Sequence, residues 1–390
     1  MAEILSQGPL FIGSLLLMLG VVVTIHELGH YWAGRWAGAA VESFSVGFGR
    51  PIFERKDKNN TRWRVNWMPL GGFVKFVGES QMPDDVGVIE EGPIGKTYYE
   101  IGPGKRAIIS AAGPIANFIL AIVLFAFFYS VRGVEYYDVY AADVRAETPA
   151  AEAGMLVDDV IVRVEGQAIR TIEDLTAITV ISSGKPLAFE VLRSGETVNL
   201  TITPERQVRR NTIGQIVPQG TIGITPWPVR ESIVFERVGP FTGMRKGLEQ
   251  TKITIERTSA MLTRIVTGRE PLSMLSGPVA IGDAGRRVAN ITLGNEQVPL
   301  AQRWSNYFWT MVQLFAAISI GLGFFNLLPF PILDGGHIVG CAYEAVVGKR
   351  VPPQIEEYVL RAALVLILTL FVFITWGDII ETGLFNGASG

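Results

Sequence analysis

Two histidines four residues apart, with a glutamate beside the first, stand where an apolar run ends: "VVVTIHELGHYWAGRWAG", Val21 to Gly38. On a helix, His26 and His30 share a face, so both imidazoles can reach one cation. Zn2+ suits two imidazoles and leaves a position for water, and Glu27 can take a proton from that water. The competing reading is a pair of histidines snorkelling at a membrane boundary, which leaves an intramembrane glutamate without a role.

Two histidines do not finish a catalytic zinc site, which takes a third protein ligand. The stretch "NLLPFPILDGGHIVG", Asn326 to Gly340, offers Asp334. Pro329 and Pro331 end a helix there, and Gly335-Gly336 loosens the chain beyond, so Asp334 is expected on irregular backbone. His337 is the alternative ligand, but is read as a supporting or structural residue. Asn326 can donate to a substrate carbonyl or a developing oxyanion, or bond between helices. Asn117, after Gly113-Pro114, is assigned a structural bond between helices. The chain has three histidines, and all stand in these two stretches.

The surroundings are membranous. The 390 residues are 48% hydrophobic and 18% charged, too apolar for an ordinary soluble enzyme of this size. The net charge of -3 suggests no nucleic-acid partner. A single cysteine, Cys341, excludes an intrachain disulfide. Four segments meet the roughly 20-residue length of a membrane span: Leu10 to Ile25 with helix continuing through Tyr31, Ala107 to Val131, Ser305 to Leu328, and Ala362 to Gly377 lengthened by Tyr358 to Leu360. "MAEILSQGP" has no Lys or Arg, which argues against a cleaved signal peptide. Lys and Arg between the first two spans, and Lys349-Arg350 between the last two, place those connections in the cytoplasm and both termini outside. Tyr31, Trp32, Arg35 and Trp36 mark an interface. His30 and His26 then lie roughly 8 and 13 Å inward at helical rise, in a cavity that water must reach.

The expected organisation is a first membrane helix with the zinc motif (1–36), a cytoplasmic-side β-sheet and re-entrant hairpin (37–106), a second helix (107–132), a compact outer domain (133–226), an amphipathic helical segment (227–304), a third helix with the Asp loop (305–340), and a turn with a fourth helix (341–390). In the hairpin, "TRWRVNWMPLGGFVKFVG" alternates, turns at Pro69, Gly71 and Gly72, and returns through Phe73 to Val77. Its edge either packs on the bundle or pairs with an incoming peptide strand. In the outer domain, Ala150, Ala151 and Ala153 suggest a short helix, "DVIVRVEG" a strand, Ile172 to Ile181 a helix, and two strands join at Ser194-Gly195. That order resembles a PDZ domain of the bacterial type, with Asp158, before Asp159, where a glycine usually stands. Further on, Leu248, Ile255 and Leu262 at seven-residue spacing predict an amphipathic helix that lies on the membrane or on the outer domain. "LSGPVAI", Leu275 to Ile281, marks a break before the third span.

"HELGH" in a first membrane helix and "NLLPFPILDGG" closing a later one are similar to the site-2 protease family, zinc metalloproteases that cut inside membranes. "MPLGGFVKF", "GPIANF", the PDZ-like insert and "LSGPVAI" narrow the resemblance to the bacterial branch that regulates sigma-E. The resemblance spans nearly the whole chain. It implies His26, His30 and Asp334 as Zn2+ ligands and Glu27 as general base. It implies that Gly71, Gly72, Phe73, Lys75 and Asn326 help hold substrate. The fold implied is a multi-pass α-helical membrane protein with four transmembrane helices, a cytoplasmic-side sheet and one periplasmic PDZ-like α+β domain, where the best-known members carry two. The activity implied is cleavage of single-pass membrane proteins after an earlier cut, with anti-sigma factors and remnant signal peptides as substrates, in the bacterial inner membrane. Two other classes fit parts of the pattern: a metal transporter with the same four residues as a transit site, and a non-catalytic anchor presenting a peptide-binding domain.

Overall fold

The computed structural model describes residues 2–79, 92–210, 216–268, 288–289, 291–294 and 297–381. The chain forms two compact units, one of Met1–Ala126, Met244–Ile255 and Glu270–Gly390, the other of Phe127–Gly243 and Glu256–Arg269.

In the first unit, long apolar runs give long helices, and α2 continues through Gly113-Pro114. Helix α1 covers Ala2–Ala37 and α2 covers Pro103–Val131. Between them, β1 (Val41–Lys56) pairs antiparallel with β2 (Arg62–Phe76). The middle of β1 has neighbours on both sides. Ser43 to Val46 lie beside Lys75 to Gly72 on one side and beside Arg62 to Val65 on the other. The returning Gly72–Phe76 segment is therefore an edge. Tyr31, Val41, Phe44, Phe76, Tyr98 and Ile109 form a buried cluster that fuses α1, the sheet and α2 into one body.

Among the described residues, three helices are long and apolar enough to cross a membrane: Leu16–Ala37, Pro103–Val131 and Leu300–Asn326. The last of these is α6, numbered in chain order after α3, α4 and α5, whose ranges are given below. It stops three residues before Pro329, since the residues ahead of a proline leave the helical region. Asp334 does not sit on irregular backbone as expected. It is the first residue of helix α7, Asp334–Val347, entered from Leu333 in an extended conformation. Gly335 and Gly336 do not loosen the chain. A Cβ on Gly335 would lie 2.1 Å from the Leu328 carbonyl oxygen, and one on Gly336 2.3 Å from that of Phe330. The two glycines let α7 fold back onto the loop that precedes it. Helix α8, Pro353–Glu381, comes next, with Leu364, Val365 and Val372 exposed.

The second unit is built on the sheet β11-β4-β5-β7-β8, with β6 paired to β5. Its strands are β4 (Val139–Val144), β5 (Val160–Val164), β6 (Gln167–Ala168), β7 (Leu187–Arg193), β8 (Glu196–Ile202) and β11 (Ile224–Pro228). Helices α3 (Pro149–Glu152) and α4 (Ile172–Ile181) flank it, and α4 is capped by Thr171 accepting from the Asp174 N–H. Strands β9 (Glu205–Arg210) and β10 (Ile216–Thr221) pair with each other, as do β3 (Val134–Tyr136) and β12 (Val234–Glu236). Val139, Ile161, Phe189, Val191 and Ile202 are at most 1% exposed and make the core. Asp158 adopts a left-handed φ of 69°, the conformation that glycine takes without strain.

Within the helical segment expected over 227–304, the helix starts only after β12, as α5, Pro240–Val266. Its packing also differs from the seven-residue reading. Leu248 is exposed, while Gly243, Gly247 and Thr251 are buried at four-residue spacing. A Cβ on Gly247 would lie 2.6 Å from the Ile122 carbonyl oxygen of α2. Small residues bring these two helices together, as they do in membranes. "LSGPVAI" lies outside the described residues.

Asp159, 1% exposed, accepts from Arg193 Nε at 2.8 Å and Nη2 at 2.7 Å, and from the Leu156 N–H at 2.8 Å. Burial pushes its carboxyl up, but the hydrogen bonds from Arg193 and Leu156 outweigh this and hold it below the ordinary range. A depressed native pKa adds stability above the unfolded value, about 3.9, and the stability is lost as pH falls through the native value. Arg193→Leu in the full chain is thus expected to lower the denaturant midpoint of the second unit at pH 7, read by protease protection. The deficit should shrink as pH falls below about 4; an equal deficit at every pH would refute this account.

Candidate metal centre

His26 and His30 lie one turn apart on α1, both buried. Asp334 reaches them from the first turn of α7. His26 Nε2 is 3.0 Å from Asp334 Oδ2, His30 Nε2 is 3.3 Å from Asp334 Oδ1, and the two Nε2 atoms are 3.1 Å apart. Among the described residues these three form a group able to hold a metal ion. Zn2+ with bonds of about 2.0–2.1 Å sets tetrahedral ligands about 3.3–3.4 Å apart. The spacing found is close to that. Asp334 Oδ2 is buried without a hydrogen bond, so the electron-rich atoms face one another and call for a cation between them.

One face of α2 forms the back wall. Ile109, Gly113 and Asn117 recur at four-residue spacing. The Ile109 carbonyl accepts from His30 Nδ1 at 2.8 Å, which leaves His30 Nε2 as the lone-pair nitrogen. Asn117, 0% exposed, places Nδ2 3.1 Å from His26 Nδ1. Gly113 leaves a space. A Cβ there would lie 2.4 Å from His30 Nε2 and 2.8 Å from His26 Nε2. Gly29 permits the approach, since a Cβ on it would lie 2.4 Å from the Ala112 carbonyl oxygen.

Glu27 faces the sheet. Its Oε2 accepts from the Val74 N–H at 3.0 Å, on the outer edge of the returning strand. The next outward amide, Phe76 N–H, is held by Glu79 at 3.2 Å. A cavity of about 310 Å³ joins these parts, lined by the three metal-site residues, Glu27, Phe73, Val74, Glu79 and Asn326. Asn326 Nδ2 is 3.4 Å from His26 Nε2. His337 lines the same cavity but is not among the three converging residues.

The structure thus brings together His26, Glu27, His30, Asp334, Asn326 and Phe73. Gly71, Gly72 and Lys75 do not line the cavity. Gly71 turns the chain with a φ of 82°, Gly72 lies against the Ser45 carbonyl, and Lys75 pairs with Glu42 at 3.3 Å. Sequence reasoning missed Ile109, Gly113 and Glu79 at the site, and placed Val74 there only as part of the Phe73 to Val77 edge. Only "GPIAN", a glycine one turn before an asparagine in an apolar helix, hinted at one of them.

Gly113→Ala should leave α2 helical, since alanine is the better helix former. Its methyl group must displace both imidazoles. The purified variant is expected to bind Zn2+ at least tenfold more weakly than wild type in competition with a chelator, and equal affinity would show that the space is not needed.

The chain resembles named metalloproteases along its length. It is 36% identical to the metalloprotease MmpA of Caulobacter vibrioides, with 97% of each chain covered. It is 34% identical to a putative zinc metalloprotease, mll0638, of Mesorhizobium japonicum, over 95% of this chain and 99% of that one. It is 28% identical to the zinc metalloprotease RasP of Oceanobacillus iheyensis, over 93% and 97%. Residues 14–370 match the model of Peptidase family M50. With the relatives named for zinc and for proteolysis, the chain belongs to that family, the site-2 proteases, and is a zinc metalloprotease.

Proposed function

We propose that His26, His30 and Asp334 hold the Zn2+, and that the enzyme hydrolyses a peptide bond of single-pass membrane proteins after another protease has removed their outer domains. The observation that carries this reading is the shared cavity, in which the donor atoms, Glu27 and a strand edge meet. When bound, zinc supplies a Lewis acid for the scissile carbonyl and makes water acidic enough to react near neutral pH. Glu27 takes a proton from the attacking water and returns it to the leaving nitrogen. Asn326, whose amide points into the cavity, donates to the oxygen on which charge develops.

A substrate helix protects its own carbonyls, so it must unwind before attack. The Gly72–Phe76 edge offers replacement hydrogen bonds to the unwound segment, with Phe73 beside the cavity and Gly71, Gly72 and Lys75 shaping the hairpin. The apolar α8 serves as a fourth membrane span. On the Lys and Arg bias, the zinc site lies toward the cytoplasmic side of the bacterial inner membrane and both termini are periplasmic. The periplasmic second unit acts as a single PDZ-like domain that excludes untrimmed substrates. Anti-sigma factors of envelope stress signalling and remnant signal peptides are the substrate classes that fit.

The test is Glu27→Gln, purified in detergent and assayed on a model transmembrane substrate with fragments read by mass spectrometry. Turnover is expected to fall about 10²–10⁴-fold with zinc content unchanged. Wild-type turnover in that variant would remove Glu27 from the mechanism.

A further inference from the structure

Asn117 carries a contradiction that the metal resolves. Its Nδ2 faces His26 Nδ1 at 3.1 Å, while its Oδ1 is buried without a partner. An amide nitrogen donates only. If it donates to Nδ1, the proton of the neutral ring sits on Nε2, the atom that points at Asp334 and His30. An imidazole nitrogen that carries a proton has no lone pair for a metal. A half-turn of the amide exchanges oxygen and nitrogen at almost no change of shape. The carbonyl then accepts from Nδ1–H, and Nε2 keeps its lone pair. One amide atom lacks a partner in either orientation, so that cost cancels and the metal decides.

We infer that Asn117 is the positioning residue for His26: its side-chain carbonyl, accepting from Nδ1–H, reserves Nε2 for zinc. This rests on His26 being a ligand, as proposed above. The geometry gives the two histidines equivalent supports from one helix face. Ile109 holds His30 through a main-chain carbonyl at 2.8 Å, and Asn117 holds His26 through a side-chain one, two turns further along α2. Asn117 is in turn anchored by its own backbone, since its carbonyl accepts from Ser319 Oγ of α6 at 2.8 Å. The amide is thereby aimed from a fixed point.

The experiment measures Zn2+ affinity of the full-length protein in detergent by competition with a chelator, for wild type, Asn117→Asp, Asn117→Leu and Ser319→Ala. Aspartate accepts but cannot donate; leucine fills the space and does neither. Zinc is expected to bind roughly ten- to a hundredfold more weakly to Asn117→Leu, in the range for loss of a residue that supports a ligand. Asn117→Asp should hold zinc within a few-fold of wild type or more tightly. Ser319→Ala, which removes a contact to Asn117 without touching the ring, should lose much less than Asn117→Leu. Wild-type affinity in Asn117→Leu overturns the inference. So does equal loss in Asn117→Asp and Asn117→Leu, which would show that the donor end of the amide matters, or equal loss in Ser319→Ala, which would reduce Asn117 to packing. Absence of zinc binding in all four proteins, wild type included, would instead strike the proposed ligand set.

Discussion

The Nε2 atoms of His26 and His30 stand 3.1 Å apart, and each has one carboxylate oxygen of Asp334 at 3.0 or 3.3 Å, in a place shielded from bulk water. Such atoms repel unless a proton or a cation lies among them, and in low dielectric the repulsion is strong. Much of the first unit serves to hold them together. Helix α1 sets two on one face by spacing alone. The start of α7 delivers the third, and its Gly335 and Gly336 allow the close approach to the preceding loop that this requires. Helix α2 closes the back, supplying a carbonyl, a space and an amide at successive turns. Hydrocarbon offers no partners to backbone or side-chain polar groups, so each must find one inside the protein. That requirement turns a packing problem into a site.

A related requirement bears on the hairpin. A strand edge exposes amides that must be satisfied, and edges invite another strand. Here Val74 N–H rests on Glu27 and Phe76 N–H on Glu79. Both carboxylates occupy positions that carbonyls of a neighbouring strand would take. On the proposed mechanism, an incoming peptide takes the Val74 N–H from Glu27, so strand pairing and release of the carboxylate are one exchange. The buried cluster around Phe44 and Phe76 keeps that edge at a fixed distance from α1, which the exchange demands.

The features legible in the sequence are those whose chemistry survives in residue type and spacing. His26 and His30 announce themselves by a four-residue interval, Asp334 by the prolines before it, and α4 by the run from Ile172 to Ile181. Other features stay hidden for particular reasons. Asp334 opens a helix because Gly335 and Gly336 pack against carbonyls, and a glycine pair in a sequence does not distinguish close approach from looseness. The contact face of α5 escapes a reading that looks for apolar side chains, since Gly247 makes the contact by having no side chain. Ile109 takes part through its main chain, and Gly113 through an absence. Neither leaves a trace in hydrophobic periodicity.

These cases share a direction, and α2 shows where it leads. Its Ile109–Asn117 face serves the histidines. Further along, past Asn117, its backbone at Ile122 and Ala126 receives Gly247 of α5. Through the carbonyl of Asn117 it is tied to Ser319 of α6. A helix held at successive levels by contacts with α1, α5 and α6 has little freedom to slide or turn, and the close approach of Gly247 to its backbone cannot be relieved by a side-chain rotation. The precision of the donor cluster comes from that restraint. A site made of long side chains would tolerate a helix shift by changing rotamers. This one, built on a main-chain carbonyl, a missing side chain and one short amide, transmits a shift of α2 to both imidazoles.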